Sequence, residues 1–382
     1  MLRARLTRAD RWAVAILVAL PVLLNVPWAL AGRPVLDGDN LTQNYPLRVL
    51  VGQILRHGRL PLWDPGIWSG VELLGGWNAG AMFPGTWLFA FIPGIAAFEV
   101  NIVAAGIVCG LGLHLFLRRQ GCSPLGSLLG ALCFSEMGFM SGQQAHLGLV
   151  EGTALVPVML LATDGLWRCA RQSAGADPIG AFVAAAGHWI GILGLAVGLS
   201  VLAGDPRAVS SDVITAAIFL LACCWRSRLA ARRLLLAAAI SAVLGAAVGA
   251  AQWLPGLSYL HGSQRAGGGI GLFGFGSLGL GSLPLLVTPY LAGGNGNLGM
   301  PDYIGPLNTP EVTFAVGILP VVALFALAPR LRRGGEPLGV WYAMAVVGAV
   351  LAAGTKTPLG HLLVHLPLYG GQRLQNRNTA IV

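Results

Sequence analysis

Apolar segments, each close to the length that crosses a membrane as a helix, follow one another along almost the whole chain. A helix of about 20 apolar residues spans the hydrocarbon core of a bilayer. Only 10% of the 382 residues are charged, against about 25% in a typical soluble domain. The sequence therefore predicts an all-α polytopic membrane protein with about nine transmembrane helices. The predicted spans are 13–31, 95–117, 123–140, 152–167, 180–203, 209–225, 234–253, 312–329 and 337–353.

Short arginine tracts separate these segments and fall at alternate ends of them. The arginines before residue 13, Arg118-Arg119 and the tract 330–333 all lie on one side of the predicted spans. Loops on the cytoplasmic side of membrane proteins carry an excess of Lys and Arg. We therefore expect a multi-pass protein of the cell inner (plasma) membrane with a cytoplasmic N-terminus. The net charge of +9 is then a topology signal, so the expected partners are membrane lipids and not nucleic acid.

This topology leaves two large loops on the outer side of the membrane, residues 32–94 and 254–311. Between 46 and 57 the apolar residues recur at helical spacing, which predicts an amphipathic helix lying on the membrane. Gly58 stands where a glycine commonly ends a helix. Residues 81–93 are apolar but too short to span a bilayer, so we expect a re-entrant or interfacial helix there.

The main candidate for chemistry is the sequence Asp37-Gly38-Asp39 at the start of the first outer loop. Two carboxylates separated by a glycine can turn toward one another. Such a pair either binds a hard divalent cation, Mg²⁺ or Mn²⁺, or supplies a general base. The alternative is structural: Asp39 or Asn40 caps a short helix, because Gln43 stands three residues after Asn40 as in a capping box. Asp37 is therefore the preferred catalytic residue and Asp39 the second.

Other polar residues of the predicted outer side are candidates for substrate binding. Asp64 precedes Pro65 and also suits a simple turn. Glu136 is an ionisable group at membrane depth, which makes it a functional candidate. A lone histidine such as His146 is more often a loop or rim residue than a ligand. A phosphate on this side needs cations, for which contact with lipid headgroups is the alternative. The candidate set is Gln43, Asp64, Glu136, His146, Gln252, Arg265, Lys356 and Arg373.

Four local patterns follow one another along the chain. They are Asp37-Gly-Asp39-Asn40 with Gln43 and Pro46; Gly58-Arg59-Leu60-Pro61-Leu62-Trp63; Gln252-Trp253-Leu254-Pro255 with Ser263-Gln264-Arg265; and Gly354-Thr355-Lys356-Thr357-Pro358 with Leu366-Pro367 and Arg373. Together they resemble the YfhO-type bacterial membrane proteins of the GT-C glycosyltransferase superfamily. The resemblance implies a GT-C-like helical core that uses an aspartate of the first outer loop. Members usually continue further, so we expect 1–382 to be a single transmembrane domain forming the N-terminal part of a longer protein.

The activity that this resemblance implies is transfer of a sugar from a polyprenyl-phosphate carrier to an envelope glycan or lipid acceptor. Asp37 or Asp39 would take the proton of the acceptor hydroxyl, and Arg265, Lys356 or Arg373 would stabilise the departing phosphate. The alternative is a polytopic transporter or lipid flippase without catalytic activity. Transporters commonly carry ionisable groups within their spans. The central thirds of the predicted spans hold almost none beyond His188, which favours chemistry at the membrane surface.

Overall fold

The computed structural model describes residues 7–34, 36, 38–67, 69–136, 138–173, 178–294, 300–333 and 338–381. Helix makes up 74% of the chain. The strands named in the described ranges are a single antiparallel pair, β1 (Trp63–Asp64) and β2 (Val71–Glu72). The chain divides into two compact units: unit 1 is Met1–Glu136 with Ala145–Leu257, and unit 2 is Met137–Gln144 with Ser258–Val382.

Seven helices of the described residues are long and apolar enough to cross a membrane, and each matches a predicted span. The prediction of an all-α polytopic membrane protein is therefore confirmed at this level. The other two predicted spans are shorter helices: the one at 123–140 ends at Ser135, and the one at 312–329 covers only Ile318–Leu327. The count of nine stays a prediction. The seven helices are Arg8–Leu30, Gly94–Arg119, Leu147–Gln172, Ile179–Leu202, Pro206–Arg226, Arg228–His261 and Leu338–Lys356.

Short helices and turns connect these long ones. The α-helices are α1 (Arg8–Leu30), α2 (Tyr45–Arg56), α3 (Pro84–Trp87), α4 (Gly94–Arg119), α5 (Pro124–Ser135), α6 (Gly138–Gly142), α7 (Leu147–Thr153), α8 (Val156–Gln172), α9 (Ile179–Leu202), α10 (Pro206–Arg226), α11 (Arg228–His261), α12 (Ile270–Gly274), α13 (Thr309–Val312), α14 (Ile318–Leu327), α15 (Leu338–Ala353) and α16 (Pro358–Leu363).

The basic ends of the unit 1 helices meet one another. Asp10, in the first turn of α1, accepts a hydrogen bond of 2.7 Å from Nε of Arg118 at the end of α4. Asp164 of α8 accepts hydrogen bonds of 2.7 Å from Nε of Arg119 and from Nε of Arg168. Arg118, Arg119 and Arg168 thus lie at one end of unit 1, together with the first turn of α1. Which side of the membrane this end faces stays a prediction.

Helix α2 confirms the helix predicted at 46–57, displaced by one residue. It ends as the sequence predicted: Gly58 has φ of 66°, its N–H donates to the Leu55 carbonyl, and the Arg59 N–H donates to the Ile54 carbonyl. This is the Schellman pattern, for which a left-handed glycine is preferred. The apolar stripe packs against protein, since buried Val51 contacts a cluster formed by Leu73, Ala79 and Ala81. The stripe that predicted contact with the membrane therefore holds the first loop together.

Two other predicted segments are shorter or differently placed. The segment 81–93, expected to be a re-entrant or interfacial helix, contains α3 followed by a 3₁₀ turn at Leu88–Ala90. The predicted loop 254–311 begins inside a helix, because α11 continues to His261. Hydropathy fails there because the last turns of α11 are more polar than its middle, whereas backbone hydrogen bonding continues regardless of polarity.

Candidate functional site

Of the predicted pair Asp37 and Asp39, the structure describes Asp39, and Asp37 lies outside the described residues. Asp39 precedes a π-helical turn, Asn40–Asn44, and its side chain makes no capping hydrogen bond to that turn. The helix-cap role considered for Asp39 is therefore not found. Instead, its Oδ2 lies 3.2 Å from Nε2 of His146, and the Asp39 side chain remains 57% exposed. Asp39 is thus oriented by His146, and its carboxylate is still accessible to a substrate.

Asp39 stands at the end of a row of contacts, which we call the polar ladder, between the start of the first loop and residues 145–151. Asn44 Nδ2 donates to the Ala145 carbonyl at 3.4 Å. Arg48 Nη1 and Nη2 donate to the two carboxylate oxygens of Glu151 at 2.8 and 2.6 Å. The spacing from Asp39 to Asn44 to Arg48 is five and then four residues. The π-helical turn absorbs the extra residue and keeps all three on one face.

The Arg48–Glu151 pair forms the buried end of the polar ladder. The exposed fractions of the two side chains are 0% and 2%. Arg48 Nη2 also lies 3.5 Å from the Ala203 carbonyl, which accepts its hydrogen bond. A bidentate guanidinium–carboxylate pair is strong and fixed in geometry. The Arg48 guanidinium is therefore committed to Glu151.

A tight turn after α9 brings the Ala203 carbonyl to Arg48. Gly204 adopts φ of 90°, and a Cβ there would lie 2.3 Å from the Trp77 carbonyl. Both the left-handed backbone and the close approach require glycine at this position. The turn therefore depends on a residue that the sequence pattern alone did not single out.

The remaining candidates of unit 1 have local roles. Gln43 is exposed on the π-helical turn. Asp64 is buried and accepts a hydrogen bond of 2.8 Å from the Gly66 N–H, which is the turn role considered as its alternative. Glu136 follows the last residue of α5 and accepts a hydrogen bond from Ser135. Gln252 is fully buried and donates to the Leu74 carbonyl at 2.7 Å. Of the predicted substrate-binding residues, His146 is the one that the structure shows against Asp39.

In unit 2, the three predicted phosphate-binding cations, Arg265, Lys356 and Arg373, are all exposed. The Arg373 guanidinium lies 5.8 Å from the centre of the Phe275 ring, a distance at which cation–π attraction acts. The segments that carry Arg373 and Lys356 are each hydrogen-bonded to residues 275–277. Leu374 N–H donates to the Phe275 carbonyl at 2.7 Å. Thr355, next to Lys356, donates its N–H to Ser277 at 3.2 Å.

Unit 2 also contains a buried ion pair between residues 66 positions apart in the sequence, Glu311 and Arg377. Arg377 Nε donates to Glu311 Oε2 at 3.0 Å, and its Nη2 donates to Oε1. Asn376 Nδ2 donates to the same carboxylate at 2.8 Å. Nearby, burial raises the pKa of Tyr369 to about 12, so its hydroxyl stays protonated and is hydrogen-bonded to Gln375. The Arg377 guanidinium is therefore committed to Glu311.

The helices and their long apolar segments define an all-α multi-pass membrane protein. No protein-family model, curated protein or solved structure matches the chain. The resemblance to YfhO-type proteins therefore stays a prediction. Among the described residues, no three or more His, Cys, Asp or Glu side chains are grouped to hold a metal. Because Asp37 is outside that set, Mg²⁺ or Mn²⁺ at Asp37 and Asp39 also stays a prediction.

Proposed function

We propose that the chain is a membrane glycosyltransferase, which moves a sugar from a polyprenyl-phosphate donor to an envelope glycan or lipid acceptor on the outer face. Asp39 is its general base. The observation that carries this proposal is the contact between the half-exposed Asp39 carboxylate and His146 at the open end of the polar ladder. Asp37 is the second candidate for the base. Asp39 is the preferred base because its side chain makes no capping hydrogen bond and because His146 orients it.

The proposed chemistry is a single displacement. The acceptor hydroxyl oxygen attacks the anomeric carbon, its proton passes to Asp39, and the bond between that carbon and the phosphate oxygen breaks. The electron pair leaves with the phosphate, which already carries charge and needs no strong acid, unlike the leaving group of a glycoside hydrolase. The anomeric centre is inverted. His146 positions Asp39.

The direct test uses the full chain in lipid nanodiscs, with a radiolabelled polyprenyl-phosphate sugar and membrane extract as acceptor. General-base catalysis contributes about 10²–10⁴-fold, so Asp39→Asn is expected to lower the transfer rate by about that factor. Asp302→Asn, an exposed carboxylate of unit 2, is the matched control and keeps the wild-type rate. Full transfer activity in both Asp37→Asn and Asp39→Asn would sink the proposal.

A transporter is the second candidate, and one observation favours it. Asp212, which lies outside the central third of its predicted span, is fully buried in α10. Flux of a lipid or solute across proteoliposomes separates the two functions. A transporter predicts that Asp39→Asn keeps this flux and Asp212→Asn loses it, whereas the glycosyltransferase predicts loss of sugar transfer in Asp39→Asn.

A further inference from the structure

One span of unit 1 is interrupted within its length. The apolar stretch Leu147–Gln172 consists of α7, which ends at Thr153, and α8, which begins at Val156. Pro157, four residues after Thr153, has no N–H and therefore cannot donate to the Thr153 carbonyl as a helical residue would. The Thr153 hydroxyl is also buried and has no hydrogen-bond partner among the described residues. The break thus presents oxygen atoms inside the protein.

Asp212 is a buried carboxylate in the span α10, with an exposed fraction of 0%. It lies about 9 Å along the helix from Pro206, at a rise of about 1.5 Å per residue. Ser200 Oγ of α9 donates to Asp212 Oδ2 at 2.6 Å. The other oxygen, Oδ1, has no partner in the described part of the chain. No arginine, lysine or histidine of that part forms an ion pair with Asp212, which leaves the charge without a counter-ion from the protein.

The helix break and the carboxylate face one another. A Cβ added to Gly152 would lie 3.6 Å from Asp212 Oδ2 and 3.6 Å from Ser200 Oγ. Thr153 is the next residue and is itself fully buried. Two other titratable groups act on Asp212 electrostatically. They are Asp205, which is salt-bridged to Arg207, and Cys109 of α4. Neither supplies a positive charge.

An isolated carboxylate in a membrane span is costly unless it is neutralised. Unwound backbone carbonyls and helix ends inside transporter spans coordinate Na⁺ or H⁺. We propose that Asp212, Ser200 and Thr153 form a buried Na⁺ site. The Asp212 carboxylate supplies the charge, and the Ser200 hydroxyl, the Thr153 hydroxyl and the Thr153 carbonyl supply neutral oxygens. This inference does not depend on glycosyl transfer.

The proposed Na⁺ site adjoins the polar ladder. Glu151, the partner of Arg48, immediately precedes Gly152 in α7. The same short helix therefore carries the buried end of the ladder and the interrupted end at the cation site. Because the ion binds only the folded arrangement of these oxygens, it stabilises the native state by mass action.

The test is the thermal unfolding temperature of the purified full chain in nanodiscs, titrated with NaCl against choline chloride at equal ionic strength. Na⁺ is expected to raise this temperature by at least about 2 °C at saturation, an effect that choline lacks. Asp212→Asn, a neutral side chain of the same shape, abolishes the Na⁺-specific rise. The control Asp302→Asn retains it. Thr153→Val shifts the half-maximal Na⁺ concentration upward by about tenfold, the loss of one ligand.

Three outcomes overturn the site. The first is an equal response of the wild type to Na⁺ and choline. The second is a Na⁺-specific rise that persists in Asp212→Asn. The third is an unfolding temperature that depends on pH and not on Na⁺, which would mean that Asp212 holds a proton. If Asp212→Asn does not fold, Thr153→Val and Ser200→Ala decide the matter, because an unchanged half-maximal concentration in both excludes the site.

Discussion

Each unit contains a buried arginine–glutamate pair among its described residues, Arg48–Glu151 in unit 1 and Glu311–Arg377 in unit 2, but the two pairs differ in how completely they are satisfied. In unit 2, Arg377 uses its Nε and Nη2 on Glu311, and Asn376 donates to the same carboxylate. In unit 1, Arg48 uses both Nη atoms on Glu151, but its Nε has no partner among the described residues. The unit 2 ion pair is closed in the sense that the Glu311 carboxylate and the Arg377 guanidinium are bonded to one another, although Oδ1 of the neighbouring Asn376 has no partner among the described residues. The unit 1 pair leaves a donor of the arginine itself, Arg48 Nε, unsatisfied.

What lies next to each pair also differs. The unit 2 pair is surrounded by the buried amides Gln375, Asn376 and Asn378. The unit 1 pair continues through Asn44 to the half-exposed Asp39. A fully satisfied buried network rigidifies the fold, and a partly satisfied one is often retained at functional sites. We infer that Glu311–Arg377 serves stability and that Arg48–Glu151 holds a surface carboxylate in place.

The largest effect on stability is expected from Glu311→Ala. This change leaves the buried Arg377 guanidinium without a counter-charge, and arginine cannot lose its proton to relieve the cost. The expected loss is at the upper end of the about 3–5 kcal/mol typical for a broken buried pair, measured as the free energy of unfolding in nanodiscs. Asp302→Ala, an exposed acid of the same unit, should change it little. A loss as small as the control's would mean that the pair does not hold unit 2.

A smaller loss is expected from Arg48→Met, because the Glu151 carboxylate left behind can take up a proton. The cost should be near the lower end of about 3–5 kcal/mol. The double variant Arg48→Met with Glu151→Leu replaces the pair by apolar groups and should recover most of that stability. The same double variant should still transfer sugar poorly, since the ladder under Asp39 is gone. Arg59→Met, an exposed arginine just after α2, is the control.

The double variant separates the two roles. Recovery of both stability and sugar transfer would show that the Arg48–Glu151 pair contributes only to stability, as Glu311–Arg377 does. The contrast between the units would then disappear. Recovery of stability without recovery of sugar transfer would support the contrast between the two units.

The sequence predicted features that depend on nearby residues and missed those that depend on packing. The Schellman end of α2 follows from Gly58, and the placement of Arg118 and Arg119 at the same end of unit 1 as the first turn of α1 follows from arginines at alternate helix ends. Neither ion pair was foreseen, because Arg48 and Glu151 are 103 residues apart. Arg48 lies at the edge of an apolar stripe, so periodicity alone made it resemble a surface cation. An acid within an apolar span was the available signal for Asp212.

His146→Ala tests the open end of the polar ladder with a moderate effect. The imidazole positions Asp39 but does not touch the reacting atoms in the proposed reaction, so we expect a loss of about tenfold in kcat, or about 1.4 kcal/mol. His146→Gln, which can donate from a similar position, should restore part of the rate. The free energy of unfolding should change by less than about 1 kcal/mol. A wild-type pH–rate profile in His146→Ala would contradict the positioning role. His261→Ala, an exposed histidine, is the control.

The smallest effect is expected from Tyr369→Phe in unit 2, which removes two long neutral hydrogen bonds of 3.3 Å, one donated to Gln375 and one accepted from Asn378. The cost near pH 7 should be about 1 kcal/mol. The wild type should then lose stability as the pH rises from about 10 to about 12, because burial raises the pKa of the Tyr369 hydroxyl from its usual 10.0 to about 12. Over that range the unfolded chain releases this proton and the folded chain keeps it, so unfolding is favoured.

In Tyr369→Phe, the free energy of unfolding should not show this additional decrease between about pH 10 and about pH 12. Tyr290 is 52% exposed, and Tyr290→Phe should still show the decrease. Unfolding curves collected between neutral pH and about pH 12 measure the difference. If the two variants lose stability in parallel, Tyr369 titrates like an exposed phenol. The amide-rich surroundings of Glu311–Arg377 would then be open to water, and the unit 2 pair would lose the closed character that distinguishes it from Arg48–Glu151.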